Sequence, residues 1–492
     1  MAQGPPVWTM AGAPSGLATY GPLMDLTPPA PADSPTTVGG LRSSGHSHKS
    51  VKHELRDNVL QRLRAGEPTL PGIIGFEDTV IPEVERALIA SHDFVLLGER
   101  GQGKTRLART LPGLLDEWVP AVAGCEINDH PYEPACVRCR RLAAELGDEL
   151  PVTWLHRSQR YGEKLATPDT SVGDLVGDID PIKVAEGRTL GDPETIHYGL
   201  VPRTNRGIFV INELPDLAER IQVSLLNVLE ERDIQVRGYQ LRLPLDLILV
   251  ASANPEDYTN RGRIITPLKD RFGAEVRTHY PIELDDELAV LSQECHLEAA
   301  VPEYLLEVVA RFAREVRESP AVDARSGVSA RFGVAAAESV AASAARRAAL
   351  VEESPAVGKI SDLPGVVATL RGKVEFEVSE EGREIDVLEH LLRLSTAAVF
   401  RARLAGLDLE PFVARFEEGS PVDTGEEVAA TDLLSGLGPI EGVAKVMERL
   451  GLSGAETPTY AASAIEFTLE GLYLMRRLSK ESVGGRDRFS AS

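Results

Sequence analysis

Residues 94–105 read FVLLGERGQGKT, and the character of this stretch decides the fold. The four apolar residues at its start are typical of a buried strand, and the segment RLARTLPGLL that follows it is typical of a helix. Gly98 and the run Gly103–Thr105 have the spacing G-x4-G-K-[ST] of a phosphate-binding loop, which requires a strand before it and a helix after it. The stretch therefore predicts an α/β protein that binds nucleotide.

The glycine-rich turn is expected to surround the phosphates of ATP. Backbone N–H groups of the turn and of the helix N-terminus can bind phosphate oxygens, and the helix dipole also favours negative charge there. Lys104 is expected to reach the β- and γ-phosphates, and the Thr105 hydroxyl to bind Mg²⁺. The predicted nucleotide-binding residues of the turn are Gly98, Glu99, Arg100, Gly101, Gln102, Gly103, Lys104 and Thr105.

Composition and charge limit the class of protein. The chain has 492 residues, of which 43% are apolar and 26% charged, so it is long enough for about two to four domains. Its 52 Lys and Arg against 75 Asp and Glu give a net charge of −23, which disfavours non-specific binding to nucleic acid because that binding needs cationic side chains. We expect no membrane insertion, because no apolar run approaches the length of a membrane span.

The N-terminus and the cysteine content predict a cytoplasmic location. Residues 1–17 lack the basic start and the apolar centre of a secretory signal. Four cysteines in a chain of this size indicate reduced thiols or a bound metal rather than a disulfide framework.

The chain divides into four regions that differ in amino-acid composition and in the pattern of apolar residues. Residues 1–50 are rich in Pro, Gly, Ser and Thr and predict a disordered arm. From 51 to 282, after a helical segment at 51–65, short apolar runs alternate with amphipathic segments, which predicts a parallel sheet covered by helices. Residues 283–352 are alanine-rich and predict a helical lid, and residues 353–492 predict a mainly helical C-terminal domain.

The C-terminal domain contains one ambiguous segment and three helical ones. The segment VEFEVSEEGREIDV is typical of a short strand pair or of an acidic loop. Apolar residues recur at helical spacing around 385–404, 440–452 and 461–478. These apolar stripes are expected to form the core of the domain, with a surface for a partner helix as the alternative.

A second nucleotide motif departs from its usual form. Residues 207–213 read GIFVINE, an apolar strand that ends in an amide and a carboxylate. The usual motif has two acidic residues, of which the first holds Mg²⁺ and the second polarises the attacking water. Glu213 is in the second position, but Asn212 is in the first and brings no charge to the metal. Weaker Mg²⁺ binding and slower hydrolysis are therefore expected, unless a carboxylate such as Asp216 compensates.

Three further residues lie where a nucleotide site would need them. Asn254 ends the apolar strand LILVASAN, at the edge where ligands bind to open parallel sheets. Arg271 in LKDRF would stabilise charge on a neighbouring subunit's γ-phosphate, with a surface ion pair as the alternative. Arg331, at a helix start in the predicted lid, would contact the γ-phosphate of its own subunit.

A cluster of metal-binding residue types lies between the two motifs. Cys125, His130, Cys136 and Cys139 have the spacing C-x4-H-x5-C-x2-C. Two cysteines separated by two residues supply thiolates from one tight turn, and the other two residues would complete a tetrahedral set for structural Zn²⁺. The alternative is three reduced surface thiols beside an unrelated histidine.

In order and spacing, these elements resemble an AAA+ ATPase, and in particular the ATPase subunit of magnesium chelatase and the related MoxR-type ATPases. The resemblance covers roughly residues 70–345. The segments that carry it, besides the phosphate loop, are GIIGFEDTVIPEVERALI at 72–89, LATPDTSVGDLVGDIDPIKVAEG at 165–187, GLVPRTNRGIFVINELPDL at 199–217 and VLEERDIQVRG at 228–238.

The resemblance implies a role for each site residue. It implies that residues 98–105 bind ATP with Mg²⁺, that Glu213 is catalytic and that Asn254 is the first sensor. It further implies that Arg271 is the arginine finger and Arg331 the second sensor. The family forms homo-oligomeric rings, typically hexamers, and works beside a partner with a von Willebrand A domain.

The resulting function hypothesis is an ATPase that couples ATP hydrolysis to remodelling of a partner protein. A MoxR-type chaperone with a von Willebrand A partner is the first choice, because residues 353–492 have no counterpart in the chelatase subunit. The ATPase subunit of a magnesium or cobalt chelatase is the alternative. An AAA+ transcriptional regulator would need a DNA-binding helix-turn-helix, which the sequence does not show. Asn212 also raises the hypothesis of a nucleotide-dependent switch with low turnover.

Overall fold

The fold was determined from a computed structural model of the chain. The structure describes residues 28–492 with the exception of 181, 183–184, 186–194, 232–233, 237–238, 242, 256–262, 324–326, 419–420, 454–456 and 484–485. In the described part, no helix combines the length and the apolar character that crossing a membrane requires.

Helices and strands alternate in the first half of the described chain, and helices dominate the second half. The helices are α1 Val38–Ser43, α2 Val51–Ala65, α3 Val80–Ile89, α4 Lys104–Thr110, α5 Val137–Leu146, α6 Val172–Leu175, α7 Leu200–Arg203, α8 Glu219–Glu231, α9 Thr266–Arg271, α10 Leu284–Glu294, α11 Glu303–Glu318, α12 Ala330–Leu350, α13 Pro364–Leu370, α14 Glu384–Arg403, α15 Glu410–Glu418, α16 Ala430–Leu437, α17 Val443–Arg449 and α18 Pro458–Leu474. The strands are β1 Phe94–Leu97, β2 Trp118–Val122, β3 Val152–His156, β4 Tyr161–Leu165, β5 Gly177–Ile179, β6 Ile196–Tyr198, β7 Gly207–Asn212, β8 Ile234–Val236, β9 Tyr239–Leu241, β10 Leu247–Ala253, β11 Ala274–Arg277, β12 Val422–Gly425, β13 Leu478–Val483 and β14 Arg486–Ala491.

A five-stranded sheet lies at the centre of the α/β core. Its strand order is β11-β1-β10-β7-β4, and every neighbouring pair is parallel. The strands β1, β7 and β10 are buried along their whole length, as parallel strands covered on both faces must be. The predicted parallel sheet is confirmed, and all of its strands end at the same edge.

Helices cover both faces of this sheet because alternate side chains of each strand point to opposite sides. On one face, Phe94 and Leu96 of β1 pack in a cluster with residues of α2, α3 and α4. On the other face, Val95 and Leu97 belong to a cluster that includes α8 and the cysteine-containing segment after β2. The phosphate loop therefore leaves the sheet between two apolar layers that fix its position.

The segment before the sheet is more ordered than its composition predicts. Residues 1–27 lie outside the described residues, but the prediction of a disordered arm is wrong for 37–50. The Thr37 hydroxyl caps α1, in which Leu41 is fully buried. The Thr36 carbonyl accepts a hydrogen bond from Val152 N at 2.8 Å, so this segment contacts the start of β3 in the antiparallel β2–β3 pair. Contact with this strand pair supplies buried area that the segment's own composition lacks. The helix predicted at 51–65 is present as α2.

The predicted lid and the predicted C-terminal domain share one apolar core. Helices α10, α11 and α12 lie within the range predicted for the lid. Their buried residues form a continuous cluster with those of α13 to α18. Tyr304 of α11 illustrates the contact, because its ring lies 4.7 Å from that of Phe467 and its hydroxyl 2.6 Å from the Ser463 hydroxyl of α18. The predicted division at 352 therefore falls inside a single core.

The three apolar stripes of the C-terminal region are buried in helices, as predicted. They correspond to α14, α17 and α18, which contribute to the same core cluster. The ambiguous acidic segment forms turns before α14, and Val378 is 85% exposed, so of the two alternatives it is the acidic loop. The antiparallel sheet β12-β14-β13 was not predicted. Polar and charged residues dominate β13 and β14, and this masks the alternation that would indicate strands.

Candidate nucleotide site

The loop between β1 and α4 has the backbone conformation that a phosphate site requires. Gly101 and Gly103 have φ values of 79° and 74°, in the left-handed region that glycine alone enters without strain. A side chain at Gly98 would place its Cβ 2.0 Å from Thr278 Oγ1. Below the loop, the side-chain oxygen Oε1 of the buried Gln102 accepts hydrogen bonds from Glu99 N at 2.9 Å and from the Thr278 hydroxyl at 3.0 Å. These contacts fix the conformation of the turn.

Lys104 connects this loop to the tip of β10. Its Nζ donates to the carbonyls of Gly98 and Glu99, the latter at 2.7 Å, and to Asn254 Oδ1 at 2.9 Å. The ammonium group is therefore held at the carboxyl edge of the sheet, next to the start of α4. A lysine has three donors and no acceptor, so a phosphate oxygen would replace one of these three acceptors. The structure thus brings together Lys104 and Asn254, which are 150 residues apart.

The start of α12 closes one side of the loop. A Cβ on Gly101 would lie 1.9 Å from Ser329 Cβ, and Ser329 is the residue before the first turn of α12. The Tyr280 hydroxyl donates to the Arg100 carbonyl at 2.7 Å from the same side. Arg331 is exposed in that first turn, two residues beyond Ser329. The predicted lid therefore contacts the phosphate loop through the residues that precede Arg331.

Asn212 at the end of β7 contacts a carboxylate of the neighbouring strand. Its Nδ2 donates to Glu163 Oε1 at 2.6 Å, and its Oδ1 accepts from the Ser252 hydroxyl at 3.3 Å. Asn212 is only 7% exposed. An aspartate at this position would place a second carboxylate against Glu163, so the amide is the residue type that suits this neighbour.

Glu163 is in turn paired with the helix that follows the phosphate loop. Arg109 of α4 donates to both of its carboxylate oxygens, at 2.8 and 3.0 Å, and the Tyr161 hydroxyl donates at 3.0 Å. Burial alone would raise the pKa of Glu163, but the hydrogen bonds from Arg109 and Tyr161 outweigh it and the pKa is lowered. Glu163 is therefore a charged carboxylate beside the position where the usual motif has aspartate. Sequence reasoning missed it because YGEKL matches no motif, and it offered Asp216 instead.

Glu213 follows Asn212 in a strained backbone conformation. Its φ is 56°, in the left-handed region, which is uncommon for a residue other than glycine. Its N–H donates to the Ser252 hydroxyl at 3.1 Å, so Ser252 of β10 contacts both residues of the motif. Strain of this kind persists where neighbouring structure imposes it and is common at functional sites. Ser252 and Glu163 are both site residues that the sequence did not indicate.

Arg271 lies at the end of α9 with 41% of its side chain exposed. Its guanidinium is 3.5 Å from the carboxylate of the adjacent Asp270, as in the surface ion pair considered above. The structure contains one chain, so the action of Arg271 on a neighbouring subunit stays a prediction.

The cysteine cluster forms with a different fourth residue. Ligand atoms of Cys125, Asp129, Cys136 and Cys139 all lie within 4.8 Å of one another, and His130 is not among them. His130 instead accepts a hydrogen bond from Tyr132 N at 3.1 Å. The predicted set with His130 is therefore corrected, because neighbouring residues of a turn point in different directions and the turn directs Asp129 inward. Burial lowers the pKa of His130 to about 2.

The chain is similar to several known proteins over parts of its length. Residues 189–271 match the model of the sigma-54 interaction domain, a range that includes β7, β10 and α9. An archaeal Lon protease of Thermococcus kodakarensis is 26% identical over 165 residues, which are 30% of this chain and 26% of that protein. The acetoin dehydrogenase operon transcriptional activator AcoR of Bacillus subtilis is 26% identical over 142 residues, which are 28% of this chain and 23% of that protein. The chain thus spans about a quarter of the length of the curated relatives that it matches.

Among solved structures, one similar chain comes from the complex between subunits BchI and BchD of magnesium chelatase. It is 23% identical, covers 65% of this chain and 97% of its own, and superposes with a TM-score of 0.33. The parallel sheet, the phosphate loop at the end of β1 and these partial sequence matches make the core similar to that of AAA+ ATPases.

Proposed function

We propose that the chain binds and hydrolyses ATP and uses the reaction to remodel a partner protein, as a MoxR-type ATPase beside a protein with a von Willebrand A domain. The observation that carries the ATPase proposal is the position of Lys104. Its ammonium group joins the phosphate loop to Asn254 at the edge of the sheet, under the start of the lid. The remodelling role and the partner rest on the resemblance of residues 70–345.

Each residue of the site has a task that its position supports. The N–H groups of the loop and Lys104 would bind the phosphates, and Thr105 would ligate Mg²⁺. Glu213 would orient the attacking water, and Asn254 would help to place it. When bound, ATP supplies the scissile phosphoanhydride and Mg²⁺ neutralises charge on its phosphates. Catalysis by the protein then consists of positioning and of electrostatic stabilisation.

The magnesium side of the site is the part in which this chain departs from the usual motif. The Asn212 carbonyl oxygen can accept a hydrogen bond from a metal-bound water, and Mg²⁺ commonly keeps several waters. We propose that Glu163 supplies the negative charge that Asn212 lacks, because the two side chains are hydrogen-bonded at 2.6 Å. This arrangement supports an active ATPase over the switch with low turnover.

The complete site would lie between two subunits of a homo-oligomeric ring, and we propose a hexamer. Arg331 would act on the nucleotide of its own subunit, because the start of α12 contacts the phosphate loop. Arg271 would act on the nucleotide of a neighbour, for which its partial exposure at the end of α9 is suited.

Two other functions would use the same core. The first is the ATPase subunit of a metal chelatase, which would use the same residues. The second is an AAA+ transcriptional regulator, and the match of residues 189–271 to the sigma-54 interaction domain supports it. Purification with a tagged copy of the chain distinguishes the three functions. A von Willebrand A protein would be recovered with the chaperone, tetrapyrrole enzymes with the chelatase subunit, and RNA polymerase with the regulator.

Structural Zn²⁺ would have no part in the reaction, because a closed set of four ligands leaves no open position.

Replacement of Lys104 by alanine tests the ATPase proposal. We expect Lys104→Ala to lower ATP turnover by at least roughly 100-fold, because the variant loses a charge that the transition state needs. Lys445→Ala is the matched control, since Lys445 is an exposed lysine on α17. Turnover is measured as phosphate release at saturating ATP and Mg²⁺. Equal turnover by the two variants would contradict the proposal.

A further inference from the structure

The cysteine cluster has the geometry of a metal site. Cys125, Asp129, Cys136 and Cys139 each offer one ligand atom, and these atoms lie within 4.8 Å of one another. Sulfur ligands of a tetrahedral Zn²⁺ are roughly 3.8 Å apart, given Zn–S bonds of about 2.3 Å. The four side chains therefore need only small adjustments to contact one ion.

Asp129 supplies an independent observation that points to a cation. The residue has no exposed surface, and its Oδ1 atom is buried without a hydrogen-bond partner. Its other oxygen accepts from Cys136 N at 2.9 Å, which directs the carboxylate at the cysteines. A buried carboxylate oxygen without a partner is unfavourable unless it is paired or coordinates a metal. A cation among the three sulfur atoms would satisfy it.

Backbone N–H groups orient the sulfur atoms in the way that metal thiolates require. Cys139 N donates to Cys136 Sγ at 3.3 Å, and Asp129 N donates to Cys125 Sγ at 3.4 Å. Such outer hydrogen bonds stabilise thiolates and fix their direction. Cys136 is also the N-cap of α5, so one ligand begins the helix that carries the next. The sulfur atoms thus lie at the centre of the loop, which also packs against the core of the sheet through the fully buried Ile127.

His130 contacts the N-terminal segment instead of the sulfur atoms. Its ring lies 4.0 Å from that of His48 and 5.9 Å from that of His46. Asn128, two residues earlier, has a φ of 54°, and this turn brings Asp129 rather than His130 to the cluster. Three soft thiolates with one carboxylate suit Zn²⁺ and do not suit Mg²⁺ or Ca²⁺, which prefer oxygen ligands.

The same loop is attached to the segment that leads into β7. Asn128 Nδ2 donates to the Arg203 carbonyl, and Asn205 Nδ2 donates to the Ile127 carbonyl, each at 3.0 Å. The buried Arg206 donates to the Asn128 carbonyl at 3.4 Å. These bonds join residues 127–128 to residues 203, 205 and 206, just before the strand that ends at Asn212.

We propose that Cys125, Asp129, Cys136 and Cys139 bind one Zn²⁺ ion, and that this ion braces the loop which holds the start of β7. The ion satisfies the buried oxygen of Asp129 and links the two ends of the segment between the cysteines. It has a structural task, and the proposal does not depend on the ATPase activity.

Metal content of the full-length chain, purified without chelator, tests the ligand set. We expect about one zinc per chain, and we expect Asp129→Asn to weaken zinc binding by at least roughly 100-fold, more than outer-shell changes do. His130→Ala is the matched control and should retain the metal. Loss of zinc from His130→Ala with retention by Asp129→Asn would overturn the assignment, and so would wild-type protein that binds no zinc.

Substitution by cobalt tests the site in the wild-type chain and therefore does not require that the Asp129→Asn variant folds. Co²⁺ added to the metal-free wild-type chain should give the intense absorption of a tetrahedral thiolate site, which His130→Ala leaves unchanged. A weak, octahedral spectrum in the wild-type chain would overturn the proposal.

Hydrogen exchange tests the brace itself. Removal of zinc should increase amide exchange at residues 203–207 and leave the β13–β14 hairpin unchanged. Unchanged exchange at 203–207 in zinc-free protein would contradict the structural role.

Discussion

The strands β1 and β7 end at the same edge of the sheet, but they supply their polar groups in different ways. At the end of β1, residues 98–105 contain the glycines, the lysine and the helix start within one continuous segment. At the end of β7, Asn212 and Glu213 depend on Glu163 of β4 and Ser252 of β10. A site built from one segment can be recognised in a sequence, whereas a site built across strands becomes visible only when the sheet has formed.

The largest expected effect on ATP turnover concerns neither strand end but Arg271 at the end of α9, which would complete the site from a neighbouring subunit. We expect Arg271→Ala to lower turnover by roughly 10³-fold, while ATP still binds. Arg393→Ala is the control, because Arg393 is 51% exposed and has a similar ion pair at 3.8 Å with Glu389. Turnover and the binding of a fluorescent ATP analogue are measured on both variants. Normal turnover by Arg271→Ala would show that one subunit is sufficient.

The next largest effect is expected at the end of β7, where Asn212 has no counterpart at the end of β1. Asn212→Asp should lower the free energy of unfolding of the nucleotide-free protein by about 2 kcal/mol, because the new carboxylate lies against that of Glu163. The amide introduced by Glu163→Gln can donate to the new carboxylate, so the double variant should recover most of the loss. Thermal unfolding of the two single variants and the double variant measures the coupling.

The loss in Asn212→Asp should also depend on pH. Repulsion between the carboxylates raises the folded-state pKa of one of them above its unfolded value. The destabilisation is therefore present at neutral pH and disappears as pH falls through the raised pKa and a proton binds. A stability gain from Asn212→Asp at neutral pH would show that the amide is not the residue type that suits Glu163.

The smallest effect concerns Ser252, which contacts both residues at the end of β7. Ser252→Ala should cost about 1 kcal/mol of stability and also lower turnover, since the hydroxyl positions both Asn212 and Glu213. Ser395→Ala is the control, because Ser395 is a buried serine of α14 that bonds to the Leu391 carbonyl at 2.9 Å. It should lower stability without lowering turnover. If both variants turn over ATP at the same rate, Ser252 contributes to stability only and does not position Asn212 and Glu213 for catalysis.

Much of the fold could be predicted because its signals are local. The apolar runs of β1, β7 and β10 and the helical spacing of α14 and α18 each lie within one segment. The sheet β12-β14-β13 could not be predicted, because Val422 of β12 pairs with Phe489 across 67 residues. Order at 37–50 likewise depends on pairing with the distant β3.

The sites show the same division between local and distant information. The cysteine spacing indicated a metal site, but the choice between Asp129 and His130 depends on the φ angle of Asn128 and on contacts with His48. Asn212 looked like a defect in a motif because its partner Glu163 lies 49 residues earlier. Three-dimensional contacts were needed to identify the amide as a complement to a carboxylate.

The central claim is that the complete ATPase site needs residues from two subunits, and mixing two inactive variants tests it most directly. Lys104→Ala retains Arg271, and Arg271→Ala retains Lys104. An interface at which the Arg271→Ala subunit binds ATP and the Lys104→Ala subunit supplies Arg271 therefore contains an intact site. Turnover is measured for each variant alone and for the mixture after subunit exchange. The proposed arrangement predicts that the mixture recovers turnover that neither variant shows alone. A mixture as inactive as its components, with mixed rings verified by mass spectrometry, would contradict it.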